Sequence, residues 1–515
     1  MQNSKNTASF LLLLCLLFFT SIGLTQHNDA KKIRDHEVVL DADGRLQPWT
    51  SYDNIIRWSL NFLQNCPTTK TTFGDDPWYL VTSKFNPDGT IRLKQNNPGS
   101  NVYWGVETLR KYYAYSGDET AFEPIKRLLE RMLHYHTPTD WAWPDVPRTQ
   151  DDRPDGEYTD EWGGVDKLCM AAIGYLNYYK LTGEEIYLKK MLSTSRTVLQ
   201  HVQSGDANHS PLPFRVNFKT GDILAPYCSN MILAVNLIDE LFLIDAPGFS
   251  KEELTAKKEL LIKWILKYPM QNNFWAGYYE DVEANYENLN QQNPMETARY
   301  ILRHQELDPD YKMHVPALID WVKNRFGQTK HFGATSIREQ DCCFKEMSSH
   351  TARYASIVAM WFGDSHDEIM REEARAAFAL STYSAYNKYS KNECAINYVG
   401  IGYDEPWFSD SYWDYLSHYF DGMAELPEML PENKDHLFYS SSIVSSISYS
   451  KSRIEYTTFD SVGEEKIKLT FEPKVFADGK ELPGSQWQFG DYRGVSNILR
   501  IKRIQARTVL IERKQ

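Results

Sequence analysis

This 515-residue chain predicts a mainly α-helical fold, an (α/α) toroid of helical hairpins followed by a small β-sandwich-like domain. Three observations carry that expectation. Apolar residues recur at helical spacing from about residue 52 to 429, as in Ile55-Ile-Arg-Trp-Ser-Leu-Asn-Phe-Leu63. A turn pattern repeats: Tyr112-Tyr-Ala-Tyr-Ser-Gly-Asp-Glu119 is echoed by Tyr178-Tyr-Lys-Leu-Thr-Gly-Glu-Glu185, with Trp361-Phe-Gly-Asp364 a fainter third copy. Beyond Pro431 the helical period gives way to short β-prone runs.

Each element follows in order. Lys5, the apolar run 10–19 and the small residues Ser21, Gly23 and Thr25 describe a cleaved secretory signal over 1–25. The mature chain is therefore expected outside the cytoplasm, periplasmic or secreted. No later run reaches the roughly 18 apolar residues of a membrane span. Helical segments are expected at 55–63, 121–133, 167–181, 186–202, 230–244, 254–267, 295–303, 315–326, 351–362 and 368–384. In each echo Gly closes one helix in a left-handed cap, and acidic residues open the next, where the helix dipole favours them. One helix pair cannot bury its apolar face alone, so repeated pairs imply a closed array, here over 26–430. Runs at 441–449, 453–458, 466–471, 497–501 and 508–511 give the sandwich-like domain over 431–515.

Composition narrows the partners. A net charge of −13 argues against nucleic acid. Aromatic residues are 14% of the chain, which suits stacking on sugar rings. After the signal, Cys66, Cys169, Cys228, Cys342, Cys343 and Cys394 are too few for a disulfide scaffold. The adjacent Cys342 and Cys343 lack CxxC spacing and read as two buried thiols. No metal or cofactor motif is present, and acidic residues without an EF-hand loop give a structural calcium ion no specific seat.

Four stretches could carry chemistry. The first is 339–354, where His350, Arg353 and Tyr354 share one helix face with Glu339 just upstream. Ser348 or Ser349 capping that helix is the plainer reading. The second is the Trp- and acid-rich segment 141–166, offering Tyr158 and Asp160 for acid–base work and Trp143 and Trp162 for stacking. There Asp160 could equally cap the following helix. The third holds Arg299, suited to gripping a carboxylate unless Glu296 pairs with it. The fourth, 397–414, offers Tyr403 and Trp413 as sugar platforms.

The signal, the Gly-acidic hairpins, the aromatic loops and the β tail together resemble the (α/α)-toroid carbohydrate-active enzymes, among them polysaccharide lyases and unsaturated glucuronyl hydrolases. The run from Asp160 to Met170 looks like a helix opening of the glucuronyl hydrolases, although the Trp-Gly-Arg-Gly run of that group is absent. The chain is similar to toroid proteins of bacterial ulvan- and uronan-degrading loci, some of which are lyases or dehydratases. The resemblance implies a carbon–oxygen lyase or dehydratase acting on acidic oligo- or polysaccharides without a cofactor. Elimination needs a base (His350 or Tyr158), a carboxylate partner (Arg353 or Arg299) and an acid (Tyr354). Glycoside hydrolysis, with Asp160 paired to Glu339 or Asp404, is the alternative. Glycan binding without catalysis ranks third.

Overall fold

A computed structural model describes residues 32–514, except 87–89, 94–95, 151–156, 278–287, 390–393 and 403–404. The expected signal segment lies outside the described residues. No helix among them is long and apolar enough to cross a membrane.

Twelve helices of eleven residues or more are present among the described residues. They are α1 Tyr52–Gln64, α2 Pro98–Ser116, α3 Phe122–His134, α4 Val165–Thr182, α5 Glu185–Gln200 and α6 Ile232–Leu243. The rest are α7 Lys251–Lys267, α8 Gln292–Arg303, α9 Tyr311–Phe326, α10 Ser348–Ser365, α11 Glu368–Ser381 and α12 Tyr415–Glu425. The even-numbered helices touch in sequence α2, α4, α6, α8, α10, α12 and back to α2, which closes an inner ring. Helices α3, α5, α7, α9 and α11 each pack outside the helix that precedes them. Helix α1 completes the outer layer against α12, where the Tyr52 and Tyr419 rings meet edge to face at 5.0 Å.

Burial follows position. Inner helix α4 is buried along almost its whole length, because it has neighbours on every side. Outer helix α3 buries only the stripe Ile125, Leu128, Leu129 and Met132. Helices α2 and α12 are absent from the helical segments expected above. Gly99 and Gly105 interrupt the apolar period of α2, and α12 is entered through a π-helical turn at Ser409–Asp414.

The repeated turn behaves as expected twice. Gly117 (φ 70°) and Gly183 (φ 77°) are left-handed caps closing α2 and α4. The third copy differs: α10 runs through Gly363, and His366 takes the left-handed position at φ 58°. A β-carbon added at Gly183 meets nothing within 4 Å, so Gly183→Ala isolates the backbone term. It is expected to destabilise the protein by about 1–2 kcal/mol, the cost of a left-handed conformation to a residue with a β-carbon, read as a lowered midpoint in thermal melts; an unchanged midpoint would show that the cap is dispensable.

Short hairpins sit where inner helices begin. Strands β1 Trp162–Gly164, β2 Arg215–Asn217 and β3 Ile223–Ala225 form one small sheet beside the start of α4. Strands β4 Arg338–Gln340 and β5 Cys343–Glu346 form a hairpin directly before α10. Cys342 is exposed and Cys343 half-buried at its turn, which corrects the expectation of two buried thiols; a two-stranded ribbon has no interior to bury them.

Beyond residue 435 every element is a strand. These are β6 His436–Ser440, β7 Val444–Ser450, β8 Arg453–Thr458, β9 Gly463–Lys468, β10 Pro473–Ala477, β11 Lys480–Glu481, β12 Trp487–Tyr492, β13 Val495–Arg503 and β14 Thr508–Arg513. They form two antiparallel sheets, β6-β9-β13-β12 and β7-β8-β14-β10-β11. The first strands dock on the end of α2: His436 Nδ1 lies 2.8 Å from the Tyr115 carbonyl oxygen, and the Tyr449 hydroxyl donates to that of Ala114.

Candidate active site

Each outer helix returns the chain, so all six inner helices run the same way and begin at one rim. Polar contacts link neighbours around that rim. Ser100 meets Met170, Asn230 donates to Asp166 at 3.1 Å, and Asn293 donates to Ser229 at 2.8 Å. The Gln291 backbone N–H donates to the Glu339 carbonyl and Ser349 to Asp410, while deeper along α2 Thr108 donates to the Trp413 carbonyl. Several rim groups are buried with no protein hydrogen-bond partner among the described residues. They are both side-chain atoms of Gln291, Gln340 Nε2, Ser348 Oγ, Asn293 Oδ1 and His350 Nε2. Buried polar atoms are normally satisfied, so these groups make the rim the candidate place for a ligand.

Below this rim, inside the ring, lies a charged cluster drawn from α8, α10, α12 and the hairpin β4–β5. His350 and Arg353 come from the first turns of α10. Arg353 is buried and fully committed: Nη1 lies 2.8 Å from His350 Nδ1, Nη2 donates to Asp414, and Nε stands 3.3 Å from Glu296. Arg299 on α8 is committed in the same way, to Glu296 at 3.0 Å, Asp421 at 3.0 Å, Ser356 at 2.8 Å and His418 Nδ1 at 3.2 Å. Trp104 of α2 lies edge-on to His418 at 5.4 Å, with Arg353 over its ring.

A guanidinium can only donate. Nδ1 of His350 therefore accepts from Arg353, and the ring carries its proton on Nε2. That N–H faces Glu339 Oε1 at 3.6 Å and Asp410 Oδ1 at 3.9 Å. His418 repeats the arrangement, with Nδ1 toward Arg299 and Nε2 2.6 Å from Asp414 Oδ1. Two parallel rows result, in each of which an arginine holds a histidine whose other nitrogen faces a carboxylate.

The two aspartates are pushed apart electrostatically. Burial raises the Asp410 pKa to about 6; His350 opposes the rise, and the Glu339 and Asp414 charges reinforce it. At Asp414 burial acts in the same direction, but Arg353 and His418 outweigh it and hold the carboxyl at about 2. Burial, aided by the Arg353 cation, takes His350 down to about 3, so its ring is neutral at ordinary pH. Paired groups with opposed shifts are how a site divides acid–base roles.

His350, Asp410 and Asp414 each bring a possible metal ligand within 4.8 Å of the others. The tautomer opposes a cation there: one His350 nitrogen is taken by Arg353, the other carries a proton, and Arg353 already neutralises Asp414.

The structure brings Glu339, His350, Arg353 and Arg299 together and sends other expected site residues elsewhere. His350 has no lone pair to offer a substrate proton, because Arg353 occupies it. Neither Arg353 nor Arg299 can serve as a substrate clamp, since buried guanidinium groups must find acceptors inside the fold. The Glu296 pairing considered for Arg299 is real, within this larger network. The Tyr354 hydroxyl points outward between α10 and α11, 3.2 Å from Glu373. Tyr158 is fully buried, and its hydroxyl donates to the Leu80 carbonyl at 2.5 Å.

Trp143 is buried against His201, rings stacked at 3.9 Å, and offers no open face. Trp162 lies in β1 under the Arg215 guanidinium. Asp160 precedes β1 and does not cap α4, whose cap position is Gly164; Met347 likewise precedes α10, with no serine cap. Trp413 is buried in the π-helical turn. Tyr403 and Asp404 lie outside the described residues.

Sequence reasoning missed Asp410, His418 and Asp421, and gave Asp414 and Glu296 no catalytic part. Positions 410, 414, 418 and 421 recur at helical spacing, and that acid–acid–His–acid stripe was the available signal.

No protein-family model and no curated protein matches the chain by sequence. Solved structures do match its shape. A sugar epimerase from a ruminal bacterium superposes with a TM-score of 0.53 at 11% identity, over 72% of this chain and 96% of that one. A D-mannose isomerase gives 0.53 at 12% identity, over 72% and 97%. Cellobiose 2-epimerase from Spirochaeta thermophila gives 0.50 at 11%, over 73% and 96%. At such identities the likeness speaks for the fold alone: the chain is built on the helical ring of these sugar-converting enzymes.

Proposed function

We propose that this chain is a carbohydrate-active enzyme whose chemistry begins with removal of a carbon-bound proton beside a carboxyl or carbonyl group of a sugar. Asp410 takes that proton. The observation that carries the reading is its buried carboxyl, lifted to about 6 beside a neutral imidazole. Such a group is mostly ionised at neutral pH yet readily reprotonated, as a general base that must later act as an acid requires. Arg353 fixes the neutral His350 ring so that its Nε2–H faces the Asp410 carboxyl, and at 9% exposure Asp410 is more accessible than His350, Arg353 and Asp414.

Two fates of the abstracted proton are open. Passed to a leaving oxygen, it completes elimination from an acidic saccharide, the lyase or dehydratase reading, in an exported protein. Returned to carbon, it completes epimerisation or isomerisation. That second reading is favoured by the fold shared with sugar epimerases and an isomerase, and by the commitment of Arg353 and Arg299 to protein acceptors. Hydrolysis would need a second carboxylate beside Asp410: Asp414 is held by Arg353 and His418, and Glu339, which also faces His350, is the candidate for that part.

One experiment separates them. The protein is incubated in heavy water with uronan oligosaccharides and with neutral reducing disaccharides. Elimination gives a rise in the ultraviolet absorbance of the new conjugated double bond. Epimerisation or isomerisation gives deuterium at carbon without that rise. Release of reducing ends with neither signal would overturn proton abstraction in favour of hydrolysis.

A further inference from the structure

The opposite end of the ring holds a cavity of about 570 Å³ between the helices and the first β-strand of the tail. Asp421 on its wall lies seven residues beyond Asp414, roughly 10 Å further along α12 at 1.5 Å per residue. Arg110 and Lys111 of α2, Arg303 of α8 and Asp421 of α12 line it, with Phe420 and Tyr439 among its aromatic walls. Its volume suits a small organic molecule.

The charges on this wall are unequal. Three basic side chains and one carboxylate line it, in a protein of net charge −13. Arg110 is held by Glu107 at 2.7 Å, and Lys111 by Asp421 at 2.7 Å. Arg303 makes no ion pair or hydrogen bond among the described residues and is exposed at the end of α8. Part of its role is to offset the helix dipole, but the dipole needs no cavity beside it. A planar guanidinium with its fork unengaged, in a cavity also lined by Phe420 and Tyr439, matches a carboxylate or sulfate carried on a compact ring.

We infer that this rear cavity is a binding site for a small ring-bearing anion, such as a carboxylated or sulfated monosaccharide, gripped by Arg303. The proposal does not depend on the reaction assigned to the front cluster. Asp421 belongs to both places, since it accepts from Lys111 on the cavity side and from Arg299 inside.

Glucuronate, a galactose sulfate and neutral glucose are titrated into the full chain by calorimetry. The two anions should bind and glucose should not. Arg303→Glu should weaken anion binding by about tenfold or more, as expected where a charged contact is reversed, with Arg303→Lys intermediate. Asp410→Asn, at the front cluster, should leave it unchanged. Equal binding of glucose, full binding to Arg303→Glu, or loss with Asp410→Asn would each overturn the assignment. Because Arg303 is exposed, its variants are expected to fold, and an unaltered melting temperature verifies this.

Discussion

Arg353→Met is expected to lower the stability of the fold by about 3–5 kcal/mol, the range seen when one partner of a buried ion pair is removed. The size follows from what Arg353 touches. It is fully buried, and its three nitrogens meet Asp414, Glu296 and the Nδ1 of His350. Methionine fills similar space but leaves two carboxylates without this counter-charge inside the ring. Asp414 would lose the contact that holds its pKa near 2, and His350 the donor that fixes its tautomer. Thermal and urea unfolding at neutral pH measure the loss. A second substitution, Asp414→Leu, placed on Arg353→Met should recover part of it by removing the stranded charge. A melting temperature for Arg353→Met within a degree or so of the parent would show that the cluster is not the electrostatic keystone proposed.

The helical ring was legible because its signals are local. Residues 55–63 and 121–133 carry the 3.6-residue period of helices with one buried face, and Gly117 and Gly183 mark where the chain must turn left-handed. The (α/α) arrangement then follows from repetition. What escaped was the inner ring's least periodic members. Helix α2 is buried on nearly every side and shows no single apolar stripe. The π-helical turn before α12 shifts its phase, hiding a helix whose polar positions face inward.

The site was legible only as far as one element extends. Within α10 the i, i+3 rule placed His350 and Arg353 together, and they are in contact. The same rule put Tyr354 on that face, but one further residue turns a side chain by about 100°, enough to aim it at Glu373 on the outer layer. Partners from other helices could not be read at all. Arginine looked like a substrate clamp because its fork suits carboxylates, and it does hold them: those of Glu296, Asp414 and Asp421. Which carboxylate an arginine meets is decided by which helices the ring brings together, and spacing along one helix contains none of that. Trp143 erred in the same direction, since an aromatic residue in a polar loop can face inward as easily as outward.

Asp410→Asn should produce two effects of opposite sign, which makes it the sharpest test of the acid–base assignment. Activity should fall by about 10²–10⁴-fold, the usual contribution of a positioned general acid or base. Any limb of the rate profile near pH 6 should disappear with it. Stability should move the other way. The folded pKa near 6 lies above the ordinary 3.8, so the folded protein holds this proton more tightly than the unfolded chain does. The stability this supplies is fully present below the ordinary value and is lost as pH rises through the folded one. At pH 7 the parent therefore carries a buried carboxylate beside Glu339 and Asp414, and asparagine relieves it. Asp410→Asn should melt higher than the parent at pH 7, with the difference vanishing as pH falls below the ordinary carboxyl value of 3.8, where the aspartate is neutral both folded and unfolded. A structural residue of the cluster would lose stability when altered, as Arg353 should. Gain of stability with loss of rate is what a group retained for chemistry at the expense of the fold must show. Full activity in Asp410→Asn would remove the residue from the mechanism, and a lower melting temperature at pH 7 would refute the raised pKa on which the mechanism rests.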